Sequence, residues 1–204
     1  MTQAVKNIVF DLGAVLIGWE PELAFTDHFD DPAQIAPWLS RVDFHGWNRR
    51  QDAGRSLAEA VAQARADHGE DAAPLVDYLA NFGRTINRPV AGSWEILEAL
   101  DAAGHPLFAI TNWSAETFPA ALAQYPRLKT AFRDIVVSGA EKMLKPEPAI
   151  YRLLLERNGL HAAETLFIDD SLANVEGARA VGMDAVHFTD AGRLARDLED
   201  RGLL

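Results

Sequence analysis

The sequence predicts an α/β protein: a parallel sheet covered by helices on both faces, with a long helical insertion after its first strand. Three observations carry this. From Ala91 onward, short apolar runs alternate with helical stretches to the end of the chain. The run "NIVF" near the start reads as one further buried strand. Between the two, residues 18–88 show helical periodicity and no convincing strand.

In chain order, residues 5–10 are the first expected strand, ended by Asp11-Leu12-Gly13. "PELAFTDHF", "DPAQIAPWL", "LAEAVAQARADHG" and "APLVDYLANFGRTI" then read as helical, with Asp31, Ser56 and the prolines as caps or first-turn residues. "SWEILEALDAAGH" is a helix closed by Gly104, and "PLFAIT" a buried strand. "SAETFPAALAQY" is helical and "DIVVSG" a strand. "EPAIYRLLLERNGL" is a helix ending at Gly159, "ETLFID" a strand, and "LANVEGARAVGM" a helix with Gly182 near its end. "AVHF" and "DAGRLARDLED" supply the last strand and helix. An insertion directly after the first strand sits over that strand's C-terminal end, where open α/β sheets bind ligands.

Composition bounds the partners. The 204 residues suit one domain carrying an insertion, or two small domains. The 19 basic and 30 acidic residues give a net charge of −11, which repels nucleic acid and anionic membrane. The chain has no cysteine, which excludes disulfides, thiolate zinc sites and thiol nucleophiles and fits a cytoplasmic location. The six histidines lack metal-ligand spacing. Asp11 breaks the only apolar run near the N-terminus, so neither a signal peptide nor a membrane span is expected there. No repeat, linker or coiled-coil pattern distinguishes a monomer from a homodimer.

Polar residues close the apolar runs at four places: Asp11 after "IVF", Thr111-Asn112 after "FAI", Lys145 beyond "IVVSG", and Asp169-Asp170 after "LFI". Singly, each has an ordinary explanation as a helix cap, a turn former or a solvated lysine. Together, at the strand ends of a parallel sheet, they meet at one edge. Carboxylates brought that close repel, and a hard divalent cation resolves the conflict. Mg²⁺ is the expected cofactor, and a small phosphorylated metabolite the expected partner. Lys145 and the donors of Thr111-Asn112 suit phosphate oxygens, leaving a carboxylate as nucleophile.

These stretches resemble the haloacid dehalogenase-like hydrolase superfamily. "VFDLGAVL" is similar to its first motif, "FAITNWS" to its second, "KPEPAIY" to its third and "FIDDSLANVEGARAVGM" to its fourth. The resemblance implies a Rossmann-like, doubly wound parallel sheet as the core (residues 1–17 and 89–204) with an all-helical cap (18–88). It implies Asp11 as nucleophile, with Thr111, Asn112 and Lys145 on the phosphoryl group. It further implies magnesium on Asp11, Asp170 and the carbonyl of Gly13, supported from behind by Asp169 and Asn174. Trp19, Trp47, Asn48, Arg49, Arg50 and Trp113 are expected near the substrate.

One departure matters. Phosphatases of this superfamily read Asp-x-Asp at the first motif, the second Asp protonating the leaving group, whereas this chain reads Asp11-Leu12-Gly13. Losing a general acid costs about 10²–10⁴-fold. Three consequences stay open: a leaving group that needs no acid, an acid from the cap (Glu20, His45 or Asp52), or a catalytically weak phosphate-ester-binding protein. An Asp-x-Gly first motif and a segment similar to "FHGWNRRQDAGRSLAEAV" occur in members resembling glucose-1-phosphate phosphatase, which points to sugar phosphates. The dehalogenase branch is the rival enzyme, yet this chain has no Tyr at position 13 and no Arg between Asp11 and Arg41.

Overall fold

The computed structural model describes residues 4–204. Five strands form one all-parallel sheet: β1 (Asn7–Phe10), β2 (Leu107–Thr111), β3 (Ile135–Val137), β4 (Thr165–Asp169) and β5 (Asp184–His187), in the order β3-β2-β1-β4-β5. Phe10 pairs with Ala109 on one side and Ile168 on the other, so β1 is central. β1, β2 and β4 are buried along their whole length, as continuous apolar runs in a two-faced sheet require. Alternation along β1 sends Ile8 and Phe10 to one apolar layer and Val9 to the other.

The helices follow from caps and periodicity. The insertion holds α1 (Ile35–Arg41), α2 (Phe44–Asp52), α3 (Leu57–His68) and α4 (Tyr78–Thr85). Ser56 and Glu59 form a reciprocal capping box at the start of α3, and Asp31 caps its own turn by accepting from Ala33 N–H. Helices α5 (Ser93–Ala102), α6 (Phe118–Gln124) and α7 (Leu128–Ala131) come before β3, and α8 (Ser138–Glu141) starts directly after it. Helices α9 (Pro148–Asn158), α10 (Leu172–Ala180) and α11 (Ala191–Glu199) complete the fold.

Several expected elements are shorter or tighter than their periodicity. "PELAFTDHF" and "DPAQ" give 3₁₀ turns at Pro21–Ala24, Thr26–His28 and Pro32–Gln34. Pro74 lacks an N–H, and Gly69–Asp77 stays 3₁₀ before α4 begins. The strand read in "DIVVSG" stops at Val137, because Ser138-Gly139 already turns into α8.

Residues 18–88 contain no strand. The chain leaves and re-enters the sheet through two adjacent segments: Gly18 N–H donates to Arg88 O (2.8 Å), and Val90 N–H to Leu16 O (2.9 Å). The insertion packs on its own aromatic centre, with Phe25 edge-on to Trp38 at 4.7 Å and Tyr78 edge-on to Trp47 at 5.5 Å. That centre is continuous with the layer under β1. Among the described residues, no helix is long and apolar enough to cross a membrane.

Candidate active site

Strand order reverses about β1, and the site lies there. Asp11 follows β1 directly, its N–H donating to Ile168 O (2.8 Å) as the ladder ends. Asp169 ends β4 and Asp170 follows it. Lys145 arrives from the loop after α8, and its ammonium sits 2.8 Å from Asp11 Oδ1 and 2.7 Å from Asp169 Oδ2. It is 1% exposed, so its ammonium is shielded from solvent, while Asp11 keeps 7% of its surface exposed. Asp169 is fully engaged, also accepting from Ser171 N–H (2.8 Å) and Asn174 Nδ2 (3.0 Å). Asn174 therefore holds the Asp169 carboxylate.

Charge does not balance in this cluster. Asp11, Asp169 and Asp170 bring carboxylate oxygens within 4.8 Å of one another against the single Lys145 ammonium. Burial pushes the Asp11 carboxyl up, Lys145 opposes this, and Asp169 and Asp170 add to the rise. Burial also raises Asp170, helped by Asp169. For Lys145, burial favours the neutral amine, but Asp11 and Asp169 outweigh it and the ammonium stays charged. Acidic oxygens around a spot short of positive charge are what a hard divalent cation needs, so the donor set fits the expected metal.

The loop after β1 turns through a left-handed residue. Its left-handed residue is Ala14 (φ 57°), not Gly13. What Gly13 supplies is space: a Cβ built there would meet nothing within 4 Å. The place where the superfamily's acid would stand is open.

Above it lies a cavity of about 250 Å³. Gly13, Ala14, Asn112, Trp113, Thr117 and Asp170 form its floor, and the insertion supplies Trp19, Asn48, Asp52, Tyr78 and Phe82. No lysine or arginine is on this wall. Three residues expected at the substrate lie elsewhere. Trp47 is buried inside the insertion, its indole N–H donating to Ala60 O (3.0 Å), and Arg50 is exposed outside the cavity. Helix geometry is the reason: Phe44, Trp47 and Gln51 share the buried face of α2, while Asn48 and Asp52, one turn apart, face the cavity. Arg49 is likewise exposed and off the wall. Thr111 is 1% exposed at the end of β2, beneath the lining.

Asn112 has a task the sequence did not suggest. Its Oδ1 accepts from Lys145 N–H (2.8 Å) and its Nδ2 donates to Lys145 O (3.0 Å), so the side chain clasps the Lys145 backbone. Gly177 was also missed, because a helical glycine gives no signal of what packs on it. There α10 lies against Pro146: an added Cβ would fall 2.6 Å from Pro146 O and 3.0 Å from Tyr151 Oη. Alanine at 177 gains about 1 kcal/mol of helix propensity but overpacks this contact at about 1–3 kcal/mol. Gly177→Ala is expected to lower the urea midpoint with its slope unchanged; a raised midpoint would mean the contact is loose.

Comparison with known proteins places this arrangement. The chain is 30% identical over 206 residues to a sesquiterpene phosphatase, AstK, of Aspergillus oryzae, covering 100% of this chain and 99% of that one. It is 27% identical over 195 residues to a phosphoglycolate phosphatase of Vibrio parahaemolyticus (92% and 85% covered). In fold it is similar to a HAD family enzyme of Bacteroides thetaiotaomicron solved as a magnesium complex (TM-score 0.73, 23% identity, 95% and 100% covered). An L-2-haloacid dehalogenase of Xanthobacter autotrophicus also superposes (TM-score 0.67, 22% identity, 96% and 83% covered). Residues 5–182, nearly the whole sheet with its insertion, match the family model of the haloacid dehalogenase-like hydrolases, and the chain belongs to that family.

Proposed function

We propose that this hydrolase is a magnesium-dependent phosphatase of small phosphorylated metabolites, working through an aspartyl-phosphate on Asp11. The observation that carries the reading is Lys145, buried between Asp11 and Asp169 beside a third carboxylate at the sheet's switch point. Asp11 attacks phosphorus in line, and Lys145 and Thr111 stabilise the equatorial oxygens. Asn112 keeps Lys145 in register through its backbone clasp. Asp11, Asp170 and the Gly13 carbonyl would hold Mg²⁺, which neutralises phosphate charge when bound. Residues 18–88 act as the cap over the core of residues 1–17 and 89–204, excluding water from the reacting centre. A dehalogenase, which needs no metal, would leave the Asp170 carboxylate without work, whereas Asp169 is already engaged by Lys145, Ser171 and Asn174.

The leaving group is inferred from the wall. Without a cation there, a second anionic group on the substrate would be desolvated unpaired. The substrate is therefore a monoester of an uncharged alcohol. Sugar phosphates fit this and fit the first-motif resemblance. The rings of Trp19, Tyr78, Phe82 and Trp113 favour a second class, phosphates of apolar alcohols, which the name of the AstK relative parallels.

The test is phosphate release with Mg²⁺ and with EDTA across anomeric and primary sugar phosphates, a prenyl phosphate, phosphoglycolate, nucleotides and an acyl phosphate. Release is expected only with Mg²⁺, and from esters of uncharged alcohols ahead of phosphoglycolate. No release from any member, with saturable binding, would replace the enzyme by a binding protein.

A further inference from the structure

We propose that Asp52, the last residue of α2, is the general acid–base of this reaction, replacing from the insertion the carboxyl group absent at residue 13. The proposal rests on the phosphatase reading above and adds a catalytic residue to it.

Three side chains of the insertion were candidates, and the structure separates them. Glu20 is ion-paired with Arg88 and is off the cavity wall. His45 is exposed, set edge-on to Trp19 at 6.0 Å, and also off the wall. Asp52 shares the wall with Gly13 and Asp170. Its carboxyl group is held rather than free: Asn48 Nδ2 donates to Oδ2 (3.1 Å), and Asn48 Oδ1 accepts from Tyr78 Oη (3.2 Å). The Ser114 backbone N–H, on the core side, also favours the charged form of this carboxylate.

The main chain is pinned as well. Ser138 Oγ donates to Asp52 O (2.6 Å) and accepts from Trp113 N–H (2.9 Å), tying the end of α2 to the loop that follows β2. Gly54, at φ +97°, lets the chain turn away closely over α8, where a Cβ would fall 2.8 Å from Lys142 Cγ. An acid carried by a mobile lid would be poorly aimed; this one is fixed to both bodies.

Its protonation suits the role. Burial pushes the Asp52 carboxyl up to about 7, against the Ser114 N–H and the charge of Arg49. The facing groups are Arg49 on its own helix, Tyr78 on α4, whose phenol is itself raised by burial and by Asp52, and Asp170 across the cavity. Near neutral pH the carboxyl group therefore holds a proton in a substantial part of the protein.

The chemistry balances with no added reagent. As Asp11 Oδ bonds to phosphorus, the phosphorus–oxygen ester bond breaks, and the Asp52 proton moves to the departing alkoxide oxygen. The products are a neutral alcohol, the Asp11 acyl phosphate and an Asp52 carboxylate. That carboxylate then takes a proton from water as the water oxygen attacks phosphorus. The bond from phosphorus to Asp11 breaks, releasing phosphate and restoring protonated Asp52.

The experiment is single-turnover release with Mg²⁺ in wild type and Asp52→Asn, comparing p-nitrophenyl phosphate with a simple alkyl phosphate. Nitrophenolate leaves without a proton and an alkoxide does not. Asp52→Asn is expected to lose about 10²–10⁴-fold on the alkyl ester, while its first-turnover burst of nitrophenolate changes by less than about tenfold. The ratio of the two rates in one sample does not depend on how much of the variant is folded. An equal loss on both esters, or no loss on the alkyl ester, overturns the proposal. A wild type inert on both overturns the phosphatase reading itself, a separate result.

Discussion

Asp11→Asn is expected to abolish phosphate release, by at least about 10⁴-fold, with a folded protein remaining; removal of a covalent nucleophile elsewhere costs up to about 10⁶-fold. The amide cannot form the acyl phosphate, so no partial route through residue 11 survives. Stability should barely change, and electrostatics say why. Burial already disfavours the Asp11 carboxylate, and Asn has nearly the same shape without the charge. Lys145 keeps Asp169 at 2.7 Å, so its ammonium is not orphaned. Phosphate release and a thermal melt on the same sample check both halves. The melting temperature should stay within about 4 °C, the equivalent of roughly 1 kcal/mol for a chain of this size. An unchanged rate would exclude Asp11 as nucleophile.

That Asp11 stood out in the sequence has a physical basis. A parallel strand buried on both faces is apolar throughout, so a carboxylate at its end is conspicuous. The same holds for Asp169 after "LFI" and for Thr111-Asn112 after "FAI". The sheet was legible for the same reason: five short apolar runs separated by helical periodicity leave few arrangements. Lys145 was legible only as a motif partner, since nothing in a loop sequence says that its ammonium will be sealed between two carboxylates.

The insertion was harder to read. Each step along a helix turns about 100°, so neighbouring residues in "WNRRQD" face entirely different surroundings. Trp47 enters the packed centre, Asn48 and Asp52 meet the cavity, and Arg49 and Arg50 meet water. Periodicity fixes which residues share a face, but what lies opposite that face is decided by contacts distant in sequence. The bond from Ser138 to Asp52 spans 86 residues, and the clasp of Asn112 on Lys145 spans 33. No local pattern encodes either.

Lys145→Ala is expected to do two kinds of damage, and pH separates them. The side chain is fully buried, between Asp11 and Asp169 and 5.5 Å from the centre of the Phe167 ring. Removing one partner from a buried ion pair costs about 3–5 kcal/mol, because the remaining charge stays desolvated. For this chain length that is a fall of roughly 6–20 °C in melting temperature. Phosphate release should fall at least about 10²-fold at any pH, since among the described residues Lys145 is the one side-chain cation paired with Asp11 and Asp169, and Mg²⁺ alone would then face the phosphoryl oxygens. The stability loss should behave differently. Burial holds Asp11 above the usual carboxylate range even with Lys145 opposing it, and without the ammonium it rises further. A group raised in the folded state binds more protons folded than unfolded, so the variant gains stability as pH falls. Melts of both proteins in EDTA at about pH 5 and pH 8 should then show the gap narrowing at the lower pH, with turnover lost at both when Mg²⁺ is restored. A gap of equal size at the two pH values would mean that Lys145 supports the fold by packing alone. Its closeness to Asp11 and Asp169 would then have to be explained by catalysis and not by the balance of buried charge.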